Sequence, residues 1–341
     1  MSHEYRNQSD INNNRIIDDM LDNMPEYIED FRVHLNNKNC ATSTVKAYIY
    51  EIKKFLEYVA TLSKKNSIMD VELDDLDKVR ITQIERYIDK SDDGIDLSPN
   101  TKNRKTAVLK KFYKYFIGIG YLKNNPTLLI ESSKVPEKKV VKLSDPEVAK
   151  LLSTIRNQEG ISEHAKAYNE KLVLRDLAIS MVFLGTGMRL SELVGLDLSD
   201  IVEIDGDYYL DIVRKGSDDD HVKLVPEVYK VLFAYLDESR PFLSKSESEN
   251  ALFLSTRGTR FAPNSIEIMM KKHFIAAKLS KKYSPHKMRA TFATKVYEVL
   301  KDIYAIKDAL HHKSIETSKH YIGDKEGRIA AAANAASLLF E

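Results

Sequence analysis

Cysteine is almost absent: Cys40 is the only one in 341 residues. A lone cysteine excludes an intramolecular disulfide and any zinc site built on cysteine thiolates. Long hydrophobic runs are missing too, since no apolar stretch approaches the roughly 20 residues that a membrane span needs. The first thirty residues are polar and acidic (Asp18, Asp19, Asp22, Glu26, Asp30), so no signal peptide is visible. These absences lead us to expect a reducing, cytoplasmic setting and no membrane partner. Nor is there an excess of either charge. The chain has 52 Lys and Arg against 51 Asp and Glu, a net charge of +1. That balance argues weakly against a nucleic-acid partner.

The distribution of charge argues the other way. From Thr101 to Lys142 there are eleven Lys or Arg and two Glu. Between Glu267 and Glu298 there is no acid at all, but Lys271, Lys272, Lys278, Lys281, Lys282, Lys287 and Arg289 are present. Acids gather instead in Asp70 to Asp96 and Ser217 to Asp220. Segregation of this kind is the footprint of a protein with one phosphate-facing side.

The length allows two domains, each with its own core. Residues 1–24 are Asn/Asp-rich and are expected to form a flexible arm or frayed helix. From Pro25 the pattern is helical. Ser43 is placed to cap a helix carrying Val45, Tyr48, Ile49, Ile52, Phe55, Leu56 and Val59 at three- and four-residue spacing. A further helix is expected over Thr82 to Lys90. Ser98-Pro99 reads as N-cap and first position of another. That helix turns Val108, Leu109, Phe112, Tyr113 and Phe116 inward, leaves Arg104, Lys111 and Lys114 on other faces, and ends at Gly118-Ile119-Gly120. A small helical domain over 25–131 follows, then a charged, proline-containing linker over 132–142 with Lys138, Lys139 and Lys142.

The second domain, 143–341, opens at Ser144-Asp145. Its long helix, Glu170 to Leu184, is nearly all apolar after Asp176 and should be buried. Tyr208 to Val213 and His221 to Val225 flank a polar turn and read as a hairpin. Helices resume over Ala262 to Leu279, Pro285 to Val299 and Asp302 to Leu310, and an alanine-rich tail helix is expected over 325–341.

Chemistry-bearing residues gather in three stretches of this domain. Gly185-Thr186-Gly187-Met188-Arg189 is followed by Leu190-Ser191-Glu192-Leu193. Pro285-His286-Lys287-Met288-Arg289 places a His and an Arg on one face of a helical turn. Leu310-His311-His312 precedes Tyr321 by nine residues, with Thr317 between. Two arginines, two histidines and a tyrosine suffice to break a phosphodiester through a covalent phosphotyrosine. Guanidinium forks hold phosphate oxygens, imidazoles hold or move protons, and the phenol attacks. Arg189 could alternatively pair only with Glu192 one turn on, and Tyr321 could simply be packed in a core.

The combination resembles the tyrosine recombinase family of integrases and Xer-type recombinases. Met24-Pro25-Glu26-Tyr27 and the helical layout are similar to Xer-type proteins, including single-recombinase variants. The resemblance implies a mainly α fold with a small antiparallel β-sheet. It implies a two-domain clamp on duplex DNA: a helical, SAM-like core-binding domain and a recombinase catalytic domain. By the same resemblance Arg189, Arg289 and His312 hold the scissile phosphate and Tyr321 is the nucleophile. His286 assists its proton transfer, and Glu192 orients Arg189. A hairpin lysine, Lys215, protonates the leaving 5′-oxygen, with Lys223 as the competing candidate. Arg104, Lys111, Lys114, Lys138, Lys139, Lys142, Lys282 and Lys287 are the expected DNA contacts. No cofactor or metal is implied. The expected partners are DNA with inverted-repeat half-sites, further copies of the chain (a dimer on one site, a tetramer in synapsis) and accessory proteins.

The sequence departs from the family pattern in three places. His311 stands where glycine is usual, and Ala290 replaces a second histidine. The hairpin turn, usually basic, reads Ser217-Asp218-Asp219-Asp220, acids that should raise the Lys215 pKa and repel DNA. The same chemistry belongs to type IB topoisomerases, and a non-catalytic DNA-binding relative is the remaining alternative.

Overall fold

The computed structural model describes residues 3–91, 93–136, 140–160, 162–213, 219–246, 248–310 and 314–318. The chain divides into two compact units, Asn7–Glu137 and Met1–Arg6 with Lys138–Glu341.

The first unit is all-helical. Its helices are α1 (His3–Leu21), α2 (Tyr27–Asn37), α3 (Thr42–Leu62), α4 (Leu73–Asp77), α5 (Ile81–Asp89) and α6 (Pro99–Gly118). The segment expected as a flexible arm is thus helical. Ile17 and Met24 are buried in the core, with Met20 and Leu21 packed against it, which anchors an otherwise polar segment. Helix α3 starts one residue earlier than Ser43 implies. Its N-cap is Ala41, whose backbone is extended but whose side chain cannot cap, so packing of its apolar face holds that end. In α6 the Ser98 hydroxyl accepts from the Thr101 N–H and Pro99 fills the first turn, as the sequence implies. The core is aromatic where α2 meets α6: Phe31 lies edge-on to Phe112 at 5.3 Å, and Phe112 lies 4.7 Å from Phe116. Removing one such ring typically costs about 3–5 kcal/mol.

One buried carboxylate crosses this unit. Glu51 on α3 accepts from the Tyr87 hydroxyl at 2.6 Å and lies 3.2 Å from Lys105. The Lys105 ammonium sits 3.9 Å from the centre of the Tyr87 ring. Pairing of this kind is what permits a carboxylate in a core.

The second unit is built on α8 (Glu163–Thr186), which follows α7 (Asp145–Arg156). Helix α8 begins seven residues before the expected Glu170. Its second half buries Leu177, Ile179, Val182 and Phe183. Helix α9 (Leu190–Val194) comes next, then a three-stranded antiparallel meander of β1 (Ile201–Ile204), β2 (Asp207–Val213) and β3 (Asp219–Leu224). The expected hairpin is β2–β3, and β1 adds an edge with Ile201 opposite Leu210. Helices α10 (Pro226–Ala234) and α11 (Arg240–Leu243) are joined by a π-helical turn, Tyr235–Ser239. After them come α12 (Pro263–Ala276), α13 (Pro285–Leu300) and α14 (Ile303–Ala309).

Buried polar groups tie this core together. Arg175 donates to Asp176 at 2.9 Å and to the Leu254 carbonyl at 3.1 Å, and His273 on α12 meets Asp176 at 2.9 Å. The start of α7 is fixed to α13, since the Leu143 N–H donates to Thr291 Oγ1 at 2.9 Å. Among the described residues, no helix is long and apolar enough to cross a membrane.

Candidate active site

Three turns of chain meet at the ends of α8, α13 and α14. Helix α8 stops where Gly187 takes a left-handed conformation, φ +62°. Only glycine suits this point. A Cβ there would lie 2.3 Å from the Phe292 ring and 2.9 Å from Leu310 Cδ2, so backbone and side chains are in close contact across the turn.

The reversal delivers Arg189 to the N-cap of α9. Its N–H donates to Glu192 Oε2 at 2.7 Å and its guanidinium to Glu192 Oε1 at 2.6 Å. Glu192 is buried. The pairing weighed from sequence is therefore present, yet 46% of the Arg189 side chain remains exposed. The two observations are compatible: a buried carboxylate aims a guanidinium that still faces solvent.

Pro285 opens α13 and places His286 and Arg289 in its first turns. Arg289 is buried, with 3% exposure. Its guanidinium donates to the Gly187 carbonyl at 2.5 Å and to the Leu310 carbonyl at 2.9 Å. This one side chain thus holds the α8–α9 turn and the end of α14, the latter directly before His311-His312. A charge so deeply buried requires such partners. The His286 pKa is lowered, first by partial burial and then by the cations Lys287, Arg289 and Arg189. The imidazole therefore senses both arginines and favours its neutral form.

Arg189, Glu192, His286 and Arg289 are thus brought together. Lys215, His312 and Tyr321 lie outside the described residues. So do Lys138, Lys139 and the tail expected over 325–341. Just before Tyr321, Ile315–Thr317 forms a 3₁₀ turn, in which the Thr317 hydroxyl donates to the Ser314 carbonyl at 2.6 Å, and Ser318 is buried. Lys223 pairs with Asp207 across β2–β3, and that hydrogen bond raises its pKa.

The other basic candidates are varied. Arg104, Lys114 and Lys282 are exposed, and Lys287 is partly buried. Arg104 lies 3.8 Å from Glu51. Lys111 is partly buried, 3.5 Å from Cys40 Sγ and 5.2 Å from the Tyr48 ring centre. Lys142 pairs with Glu298 of α13 at 2.5 Å. Sequence reasoning missed the two carbonyl anchors of Arg289, because backbone acceptors leave no trace in residue type. It also passed over Arg260, whose contacts come from residues more than sixty positions away. Among the described residues no group of three or more His, Cys, Asp or Glu is arranged to hold a metal.

Comparison with known proteins places this geometry. The profile of the phage integrase family matches residues 142–328, and that of the phage integrase SAM-like domain matches residues 27–134. Tyrosine recombinase XerC of Myxococcus xanthus is 30% identical over 298 residues, covering 86% of this chain and 91% of that protein. The fold is similar to that of XerH site-specific recombinase solved in a pre-cleavage complex with its difH substrate. That match has a TM-score of 0.64 and 21% identity, and covers 87% of this chain and 80% of XerH. It is similar also to a lambda integrase tetramer bound to a Holliday junction, with a TM-score of 0.60 and 15% identity over 88% of this chain and 77% of the integrase. The chain belongs to the phage integrase family, as a DNA strand-transferring tyrosine recombinase of the Xer type.

Proposed function

We propose that Arg189 and Arg289, with His312, hold the scissile phosphate, and that Tyr321 attacks it. Attack forms a Tyr321–O–P bond and breaks the P–O5′ bond, leaving a 3′-phosphotyrosine and a free 5′-hydroxyl. His286 takes the phenolic proton, a task suited to an imidazole kept neutral by its cationic surroundings. Lys215 gives a proton to the leaving 5′-oxygen. Attack by a partner strand's 5′-hydroxyl reverses the step and joins new strands through a Holliday junction. The phosphotyrosine conserves the bond energy, so the cycle is balanced without a nucleotide cofactor.

The observation that carries this reading is the position of Arg289, held by the Gly187 and Leu310 carbonyls between Arg189 and the segment leading to His312. Two guanidinium groups in one cleft suit a phosphorane with two negative oxygens, and removing one donor of this kind typically costs about 3–4 kcal/mol of transition-state stabilisation. Arg104, Lys111, Lys114, Lys138, Lys139, Lys142, Lys282 and Lys287 supply phosphate contacts of varying weight, with Lys142 reduced by its pairing to Glu298. The solved complexes of XerH with difH and of tetrameric lambda integrase on a Holliday junction support inverted-repeat DNA and further copies of this chain as partners. The reaction then serves dimer resolution or the movement of an element, in the cytoplasm and associated with the nucleoid.

The test is a nicked suicide substrate, on which cleavage traps the covalent intermediate. Tyr321→Phe should bind DNA normally and form no denaturant-resistant adduct. An adduct formed by the Phe variant would move the nucleophile to another residue.

A further inference from the structure

We infer that Arg260 is a positioning residue for Arg189, acting through α9 from the end opposite the active site. The inference rests on the reading of Arg189 as a phosphate ligand. Helix α9 is a single turn of five residues, too short to hold its own shape by cooperative hydrogen bonding. Its geometry must come from what it is fastened to. At the N-terminal end that is the reciprocal bonding of Arg189 and Glu192.

At the other end Arg260 holds the carbonyls that a helix terminus leaves without partners. One of its terminal nitrogens donates to the carbonyls of Val194 and Leu196, at 2.9 Å each. The other pairs with Asp197, which is buried. Arg260 itself sits on a rigid support. It pairs with Leu254 as an antiparallel bridge, and the next residue, Phe261, donates its N–H to the Phe253 carbonyl at 2.9 Å. The fork therefore ties α9 to a β-like hairpin in the core. Lysine could neutralise Asp197 but would lack the planar fork that spans two carbonyls and a carboxylate at once. Without the fork the turn can shift, and Arg189, at its far end, shifts with it.

The experiment measures single-turnover cleavage at saturating protein on two suicide substrates. One carries the natural scissile phosphate, the other a neutral methylphosphonate, which develops less negative charge and needs less from a guanidinium. Arg260→Met should slow cleavage of the phosphate about tenfold to a hundredfold, the usual effect of displacing a catalytic group by around 1 Å. DNA affinity should be unchanged. On the methylphosphonate the penalties of Arg260→Met and of Arg189→Ala should both shrink. An equal penalty on the two linkages, a loss explained by weaker DNA binding, or no loss at all would overturn the inference. Arg189→Ala that cleaves the phosphate like the parent protein would instead refute the role of Arg189, and this inference with it. Should Arg260→Met fail to fold, Arg260→Lys replaces it. The same linkage-dependent pattern, smaller in size, is expected, and a linkage-independent loss overturns the idea.

Discussion

Replacing Gly187 by alanine probes the turn on which the candidate site depends. Gly187 adopts φ +62°, and a Cβ would approach the Phe292 ring to 2.3 Å and Leu310 to 2.9 Å. Holding an L-residue in the left-handed region costs about 1–2 kcal/mol. Forcing a methyl into filled space costs about 1–3 kcal/mol more. Together these predict a loss of roughly 2–5 kcal/mol, tolerable for a domain with the usual 5–15 kcal/mol of stability. The chain has no tryptophan, so helical circular dichroism in denaturant is the suitable readout. Gly118→Ala is the control. It lies at the end of α6 with nothing near its Cβ position, so it should be neutral or stabilising by up to about 1 kcal/mol. Function should suffer beyond stability, because the Gly187 carbonyl is a fixed acceptor for Arg289. Cleavage by the folded variant should fall up to about a hundredfold if that anchor moves by 1 Å. Phe292→Leu in the Gly187→Ala background should restore part of both losses, since the ring is the nearest obstacle. A Gly187→Ala protein that melts and cleaves like the parent would refute the argument, as would a double variant whose losses simply add.

Two further outcomes follow from charge. His286 prefers its neutral form, so the acid limb of the cleavage rate should lie below the ordinary histidine value of 6.5, and His286→Asn should remove that limb. Its depressed pKa also contributes stability that is present above the unfolded-state value and lost as pH falls through the folded-state value. An acid limb above 6.5 would mean that another group titrates. In the linker, Lys138→Gln with Lys139→Gln should flatten the salt dependence of DNA binding by about 1.8 units in log–log slope if both touch phosphates, equally on specific and random DNA. Lys142→Gln alone should change the slope by less, because its partner Glu298 is freed at the same time. An unaltered slope would leave all three lysines in solvent.

The helices that could be read from sequence are those whose apolar residues repeat every three to four positions and bury one face. Helices α3, α6, α8, α12 and α13 have that pattern, and in α6 the Ser98-Pro99 start is written in the residues themselves. Helix α1 was illegible as an ordered element because its residues are mostly polar. Order there comes from Ile17 and neighbours meeting a core assembled elsewhere. Ser43 misled for a related reason. Cap preference is worth only about 1 kcal/mol, and the packing of eight buried α3 residues settles where the helix begins. Strand β1 is short, and its Glu203 and Ile204 face solvent, so no alternation marks it.

The site was legible to the extent that its chemistry resides in side chains. Arg189, Glu192, His286 and Arg289 stand in two short motifs, and the fold brings those motifs into contact. What the sequence could not disclose is how they are held. Arg289 is fixed by two backbone carbonyls, Gly187 accommodates Phe292 and Leu310 by having no side chain, and α9 is fastened by an arginine more than sixty residues away. Carbonyls have no sequence signature, and a fork on a distant hairpin is visible only once the hairpin is folded. The same distinction explains why Arg189 looked ambiguous. Pairing with Glu192 and ligation of phosphate seem to compete when only the spacing is known. With Glu192 buried and nearly half of the Arg189 side chain exposed, the carboxylate can hold the inner side of the guanidinium while the outer side meets DNA. An ion pair that would be a bland surface contact on an isolated helix becomes, at this turn, the means of aiming a catalytic cation.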